Sequence, residues 1–107
     1  TGSGTTTGSG YGKAYSYSVN TTSGFSVITY KGNGTAGHTI PHHLGATPKL
    51  IIVKNMDSSQ SWLWGMTELG WTKNLHLNET GVEQTSSTIW NDTAPTSTVF
   101  TVGTNTE

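Results

Sequence analysis

The sequence has no cysteine and very few charges. The absence of cysteine from its 107 residues excludes disulfide frameworks, thiol catalysis and cysteine–zinc sites. Only 10% of the residues are charged, five Lys/Arg against six Asp/Glu, and the formal net charge is −1. The chain therefore offers no basic stripe for nucleic acid and no basic patch for an anionic membrane, and we expect neither partner.

Long apolar runs are missing as well. No run approaches the ~20 residues of a membrane-spanning helix, so we expect no membrane insertion. No stretch keeps a 3.6-residue apolar period, so we expect no long helix. The chain is instead rich in Thr, Ser and Asn, has 14 glycines, and carries its β-branched and aromatic residues in short clumps. Short clusters of this kind, separated by Gly, Asn and Ser, are typical of an all-β protein.

About eight short strands follow from the alternation and the turn signals. They are predicted within residues 12–19, 25–32, 38–45, 46–56, 61–66, 74–78, 85–92 and 96–103. Leu50–Val53 is apolar throughout, which predicts a central strand buried on both faces. The spacing predicts an antiparallel β-sandwich, jelly-roll-like, as a single domain over residues 11–107.

The first ten residues, "TGSGTTTGSG", have the composition of a flexible Gly/Ser/Thr arm. Such an arm could become ordered by adding to a sheet edge. A small domain with no disulfide and few charges also has little to guard its open strand edges. We therefore expect a homo-oligomer, with three copies favoured, and we expect residues 1–19 to contribute to the contact between copies.

Three histidines lie close together in "HTIPHH". Zinc needs three or four ligands, and alternation along a strand points His38 and His42 to one face and His43 to the other. We therefore assign no metal, although histidines from several copies could gather at an oligomer axis. The favoured interpretation is a structural corner between two strands, formed by His42, His43, Gly45 and Pro48, in which His42 packs and bonds to backbone.

No catalytic constellation stands out. The chain has many hydroxyls but no Gly-x-Ser-x-Gly elbow. None of its six Asp and Glu residues lies in a setting expected of a catalytic acid or base. We expect no enzymatic activity, no catalytic residue and no cofactor.

The tryptophans are the candidate binding residues. Flat sugar faces stack on such rings, and neighbouring amide and carboxylate groups bond to sugar hydroxyls. The same rings also suit core packing or a contact between subunits, so both interpretations stay open. We expect Trp71, in the turn "ELGWTK", to be exposed. The candidate glycan-binding or partner-binding residues are Trp62, Trp64, Trp71, Trp90, Asn91 and Asp92.

Four segments in order resemble a β-rich repeat domain of bacteriophage tail-fibre and other virion-surface proteins, particularly those of marine and cyanobacterial phages. The segments are "TYKGNGTAG", "HHLGATPKLIIVKN", "SWLWGMTELGWTKNLHLN" and "STIWNDTAPTSTVFTVGT", and the match as a whole extends over roughly residues 23–104. His43 stands where the family pattern has glycine, which matters if the turn needs a positive φ. The family domain also continues with one more strand, which another subunit or the segment "GKAYSYSV" would supply here.

The resemblance implies a non-enzymatic structural or adhesion module on the outside of a virion, in a tail fibre, a spike or a capsid decoration. Other virion proteins, and cell-surface glycans of the host, would then be its partners. The alternative from a different class is a secreted bacterial adhesin or filament subunit that assembles by strand addition.

Overall fold

The computed structural model describes residues 1–10, 12–77 and 80–104. Outside the described residues lie Tyr11, residues 78–79 and residues 105–107. All of them belong to the predicted domain 11–107, and residue 78 also belongs to the predicted strand 74–78. In chain order the elements are β1 (Gly2–Thr5), β2 (Thr7–Gly8), β3 (Ala14–Asn20), β4 (Phe25–Tyr30), β5 (His38–Pro41), β6 (Leu50–Val53), β7 (Leu63–Met66), β8 (Lys73–His76), β9 (Gln84–Thr85), α1 (Ser87–Trp90) and β10 (Val99–Val102).

The strands form three antiparallel sheets. Sheet 1 has the order β1-β3-β4, sheet 2 the order β10-β5-β2, and sheet 3 the order β6-β7-β8-β9. In the described part of the chain the one helix, α1, has four residues. The predicted all-β antiparallel fold without a long helix is confirmed, and its architecture is sandwich-like, with ten short strands where the sequence predicted about eight.

The core lies between sheets 2 and 3 and beneath α1. Its buried side chains come from five elements and one turn, because alternate residues of each strand point inward. Half-buried side chains of sheet 1, Ile28 and Tyr30, pack against it and connect the third sheet to the same core. The buried cluster consists of Ile40, Ile51, Leu63, Trp71, Ile89, Trp90 and Phe100.

The composition of residues 1–10 suggested a flexible arm that could become ordered by adding to a sheet edge. In the structure these residues contribute strands at the ends of two sheets. β1 pairs with β3, and β2 pairs with β5. The glycines make this pairing possible, because a Cβ at Gly2 would lie 2.7 Å from the Tyr17 hydroxyl oxygen and one at Gly4 would lie 3.0 Å from the Tyr15 ring. Glycine lets these rings lie directly on the backbone of β1. Whether residues 1–19 also contact another copy stays a prediction.

Pro41 ends β5 without breaking sheet 2. The His42 N–H donates to the Thr98 carbonyl, so 42–98 is a hydrogen-bonded pair and the preceding pair, Pro41 with Val99, is not. The missing N–H of Pro41 would therefore point to the side of β2, which begins at Thr7, opposite Thr39, and so does not reach Pro41. Proline fits here because no ladder bond is needed from it.

Residues 85–92 were predicted as a strand, and this prediction is wrong for its central part. Ser86 is extended, and its hydroxyl accepts a hydrogen bond from the Thr88 N–H, which caps the start of α1. Asn91 adopts the left-handed conformation at φ 53° and ends the helix. This local capping, which buries Ile89 and Trp90, outweighs the strand propensity of the segment.

Candidate functional site

An apolar surface covers the side of sheet 3 that faces away from the core. Residues directly opposite each other in antiparallel strands share a face. Leu50 pairs with Met66, Ile52 with Trp64, and Trp64 with Leu75. The Leu77 N–H donates to the Trp62 carbonyl at 2.7 Å, which continues the same ladder. We call this surface the outer face of sheet 3; it consists of Leu50, Ile52, Trp62, Trp64, Met66, Leu75 and Leu77.

Four side chains of the outer face keep about half of their surface open. Leu50 is 50% exposed, Ile52 48%, Trp62 46% and Leu77 55%. Trp64, Met66 and Leu75 are half-buried. The outer face is therefore a continuous apolar patch rather than a set of scattered surface residues, and patches of that kind usually mark a contact site.

The prediction of a central strand at Leu50–Val53, buried on both faces, is wrong. β6 lies at the end of sheet 3 and has β7 as its neighbour in the sheet. Ile51 points inward and is 9% exposed, while Leu50 and Ile52 point outward. A continuous apolar run indicates that both faces of a strand are apolar, but it cannot indicate whether the chain itself covers both.

Two lysines border the outer face, and each ammonium has an oxygen partner in the same chain. Lys73 lies opposite Thr85, and its ammonium contacts the Glu83 carboxylate at 2.6 Å. Lys54, which follows β6, donates from Nζ to the carbonyls of Asn55 and Ser58 in the next loop. The charge of Lys73 is thus balanced by a carboxylate, whereas Lys54 keeps its positive charge and is held toward the loop by hydrogen bonds.

The other two tryptophans belong to the core. Trp71, which the sequence suggested would be exposed, is 8% exposed, and Trp90 is fully buried. Their rings meet edge to face with centroids 5.3 Å apart, over the backbone of Gly65. The expected exposure of Trp71 is wrong because this ring fills the space that the missing side chain of Gly65 leaves.

The predicted binding residues therefore separate into two groups. The structure brings Trp62 and Trp64 together on the outer face of sheet 3. Trp90 lies on the inner side of that sheet, and Asn91 and Asp92 directly follow it at the end of α1, both with left-handed backbone. The remaining members of the outer face, such as Leu50 and Ile52, were not singled out from the sequence. The sequence feature that pointed to this face was the motif "SWLWGM", in which Trp62, Trp64 and Met66 alternate and so share one face of a strand.

His42 holds the corner after β5. Its ring is buried, Nε2 donates to the Thr96 carbonyl at 2.9 Å, and Nδ1 accepts from the Leu44 N–H at 3.1 Å. Both ring nitrogens are engaged by backbone, which fixes the neutral tautomer. This geometry agrees with the interpretation of His42 as a packed corner residue.

His43 takes the left-handed conformation at φ 59°, which glycine adopts more readily than a residue with a side chain. Its ring stacks on the Tyr17 ring with centroids 3.8 Å apart. Its Nε2 forms a hydrogen bond with the Tyr15 hydroxyl, 2.8 Å away. These contacts offset the strain that a side chain meets at positive φ. Gly45, at φ 76°, and the half-buried Pro48 complete the corner.

His38 is buried apart from the other two histidines. Its Nε2 bonds to the Thr6 hydroxyl, whose oxygen also accepts from the Lys13 N–H at 2.8 Å. Burial, and secondly the charge of Lys13, lowers the pKa of His38 from its ordinary value of 6.5. Burial likewise raises the pKa of Tyr30, whose ring meets His38 edge-on, to about 12.

Metal and membrane sites were sought in the described ranges. Over residues 1–10, 12–77 and 80–104, no group of three or more His, Cys, Asp or Glu side chains is arranged to hold a metal ion. In the same residues, no helix has the length and apolar character needed to cross a membrane.

Comparison with known proteins gives one finding. No curated protein and no solved structure matches this chain. A family model described as "Domain of unknown function (DUF7483)" matches residues 1–107, the whole chain. The chain therefore belongs to the DUF7483 family.

Proposed function

We propose that the chain is a non-enzymatic structural and adhesion module on the surface of a bacteriophage virion, in a tail fibre, a spike or a capsid decoration. The observation that carries the contact role is the outer face of sheet 3, where four large apolar side chains are about half exposed. The virion setting, and with it the extracellular location, is supported by the resemblance of residues 23–104 to phage surface repeats.

The size of the apolar surface supports a contact role. An aromatic side chain such as Trp62 buries roughly 150–250 Å², and Leu and Ile are somewhat smaller, so the four residues at half exposure amount to on the order of 400 Å² at most. Patches of about 300–600 Å² on a single chain are often functional. Leaving such a surface in water costs roughly 25 cal/mol per Å², so burial against a partner is favourable.

The proposal assigns no reaction, cofactor or metal to the chain. The three clustered histidines have structural contacts: His42 bonds to backbone, His43 stacks on Tyr17, and His38 is buried against Thr6. Each ring supports the fold around it rather than converging with the others on a common point.

Recognition of a host cell-surface glycan is the second candidate role. The partly exposed indoles of Trp62 and Trp64 support it, since they lie on one face of β7 and sugar rings stack on such surfaces. A third candidate, a bacterial adhesin or filament subunit that adds strands, is supported by the position of β6 at the end of sheet 3.

Immunogold electron microscopy tests the virion role. An antibody raised against the chain should decorate the outside of phage particles whose genome encodes it. Absence of label on intact particles that contain the chain by mass spectrometry would contradict surface display. Label on bacterial filaments instead would favour the third candidate.

Glycan recognition has a separate test. The chain, displayed at high density on beads, should retain host polysaccharide, and the Trp62→Ala, Trp64→Ala variant should not. Val27→Thr, a change on the exposed face of sheet 1, is the matched control. Equal retention by all three forms would exclude the tryptophans as the glycan site.

A further inference from the structure

Sheet 3 has the composition of a sheet covered on both sides. Its inner face contributes Ile51 and Leu63 to the core. Its outer face carries apolar residues in three rows of the ladder: Leu50 with Met66, Ile52 with Trp64 and Leu75, and Trp62 with Leu77. Lys54 and Lys73 have the same parity and lie at the ends of the outer two rows. Antiparallel sheets with one wet face normally alternate apolar and polar residues, whereas sheets buried between two layers do not. A second layer on the outer face is therefore missing from the single chain.

We propose that this second layer is the same face of another copy of the chain. The inference deepens the proposed contact role and depends on it, but it does not depend on the virion setting. Two sheets of separate copies would pack face to face about 10 Å apart, with their strands inclined by about 30°. The middle row, formed by Ile52, Trp64 and Leu75, would lie at the centre of the contact.

The area fits a contact between copies. Each outer face contributes on the order of 400 Å² of open apolar side chain. Two faces together reach about 800 Å² before rim and backbone atoms are counted, close to the ~1,000 Å² that a specific interface needs. Large central aromatics such as Trp64 are the residues on which binding energy usually concentrates.

The charge distribution favours a copy of the chain over a charged partner. Self-contact around a symmetry axis brings each group near its own equivalent, so an unbalanced charge on the face would repel itself. The seven side chains of the outer face carry no charge. Beside them, Lys73 is paired with Glu83, and Lys54 is bonded to loop carbonyls. A basic or acidic partner would gain little here, whereas an equally neutral apolar face is a complement.

Sedimentation velocity tests the proposal. The unaltered chain, between about 1 and 100 μM, should sediment as a dimer. The Leu50→Thr, Ile52→Thr variant has β-branched residues at both positions, which suit a strand, but makes the face polar, and its dissociation constant should rise at least about tenfold. Val27→Thr, at an exposed site of sheet 1, should sediment like the unaltered chain. A monomeric unaltered chain, or unchanged association of the double variant, would overturn the proposal.

Covalent trapping gives a readout that does not depend on the double variant. Because the chain has no cysteine, Ile52→Cys introduces a unique thiol at the proposed contact. Mild oxidation should join two copies through Cys at that position within minutes, while Val27→Cys should react slowly and in proportion to its concentration. Equal rates for the two variants would overturn face-to-face packing. Neither result would alter the immunogold test, so failure here is distinguishable from failure of the proposed virion role.

Discussion

On the inner side of sheet 3, Trp71 and Trp90 meet edge to face above Gly65 and are buried, whereas on the outer side Trp62 and Trp64 remain partly open to solvent. The two pairs are the same residue type and belong to one sheet and its immediate surroundings. Trp71 lies in the turn before β8 and Trp90 in α1, and both rings reach the covered side of the sheet. The difference shows that the side of the sheet that a ring reaches, rather than its hydrophobicity, decides whether it stabilises the chain or is available to a partner.

Sheet 1 shows that an apolar outer face is not a general feature of this molecule. Its exposed side carries Ser16, Ser18 and Thr29 beside Phe25 and Val27. The Ser16 and Thr29 hydroxyls bond to each other across the strands at 2.6 Å. That side is compatible with water, which is why its residues serve as controls for the outer face of sheet 3.

Replacing one tryptophan on each side of sheet 3 by alanine should give the largest difference in stability between the two sides. Trp90→Ala removes a fully buried ring and should lower the free energy of unfolding by about 3–5 kcal/mol. Trp62→Ala, at an exposed position, should cost less than about 1 kcal/mol in the single chain. Urea denaturation at low protein concentration measures both. Similar losses for the two variants would show that the inner and outer faces are not distinct.

Neighbouring isoleucines on β6 give the second contrast. Ile51→Ala should lower the free energy of unfolding by about 2–4 kcal/mol, because Ile51 is buried in the core. Ile52→Ala should cost under about 1 kcal/mol in the single chain, because Ile52 is half exposed. The same urea titrations report the difference. A larger loss at Ile52 than at Ile51 would mean that the register of β6 is shifted by one residue.

A single methyl group at Gly65 tests how closely the inner tryptophans approach the sheet. A Cβ at this position would lie 2.8 Å from Trp90 Nε1 and 3.0 Å from the Trp71 ring. Gly65→Ala should therefore destabilise the chain by about 1–3 kcal/mol through overpacking. Gly32→Ala, where no atom lies within 4 Å of the added methyl, is the control and should change little. A shift in tryptophan fluorescence should accompany the first change and not the second.

Acid should affect the core but not the outer face. The unfolded chain binds a proton at His38 below pH 6.5, and the folded chain resists it because its pKa is lowered by burial and by Lys13. The contribution of His38 to the free energy of unfolding should therefore be complete above about pH 6.5 and be lost as the pH falls toward the folded pKa. Association through the outer face should stay constant over the same range, since its seven side chains do not titrate.

His38→Gln provides the control for this smallest effect. The variant should lose part of the pH dependence between about pH 7.5 and 5.5, measured by urea denaturation at both values. An unchanged slope would assign the acid sensitivity to other groups. A change in sedimentation with pH in the unaltered chain would instead place a titrating group at the contact between copies.

The sequence predicted most strands correctly because alternation and turn residues are local signals. The segments around Tyr15, Phe25, Ile40, Leu63 and Phe100 all form strands, and the antiparallel all-β class follows from them. The helix at Ser87–Trp90 was missed because a four-residue helix depends on one cap rather than on periodicity. β1 and β2 were not predicted as strands because Gly and Thr supply no apolar pattern. Their partners lie farther along the chain: β1 pairs with β3, whose Tyr15 and Tyr17 rings lie on its glycines, and β2 pairs with β5.

The candidate site was predicted only in part. All four tryptophans were candidates from the sequence, which could not separate them. In the structure Trp62 and Trp64 are partly open to solvent, whereas Trp71 and Trp90 are buried. Ring size and local polarity are the same for all four. What separates them is contact with Gly65 and with each other, which requires the sheet to be assembled first.

By itself, the sequence determined the strand alternation, the corner at His42 and His43, the absence of thiol chemistry and the scarcity of charge, since each depends on residue identity or on neighbours a few positions away. Only the tertiary structure decided which side of sheet 3 is covered. An apolar residue lowers the free energy when buried against any apolar surface, so its identity does not specify which surface that is. The order of strands places the core on one face of β6 and leaves Leu50 and Ile52 on the other, open to a partner.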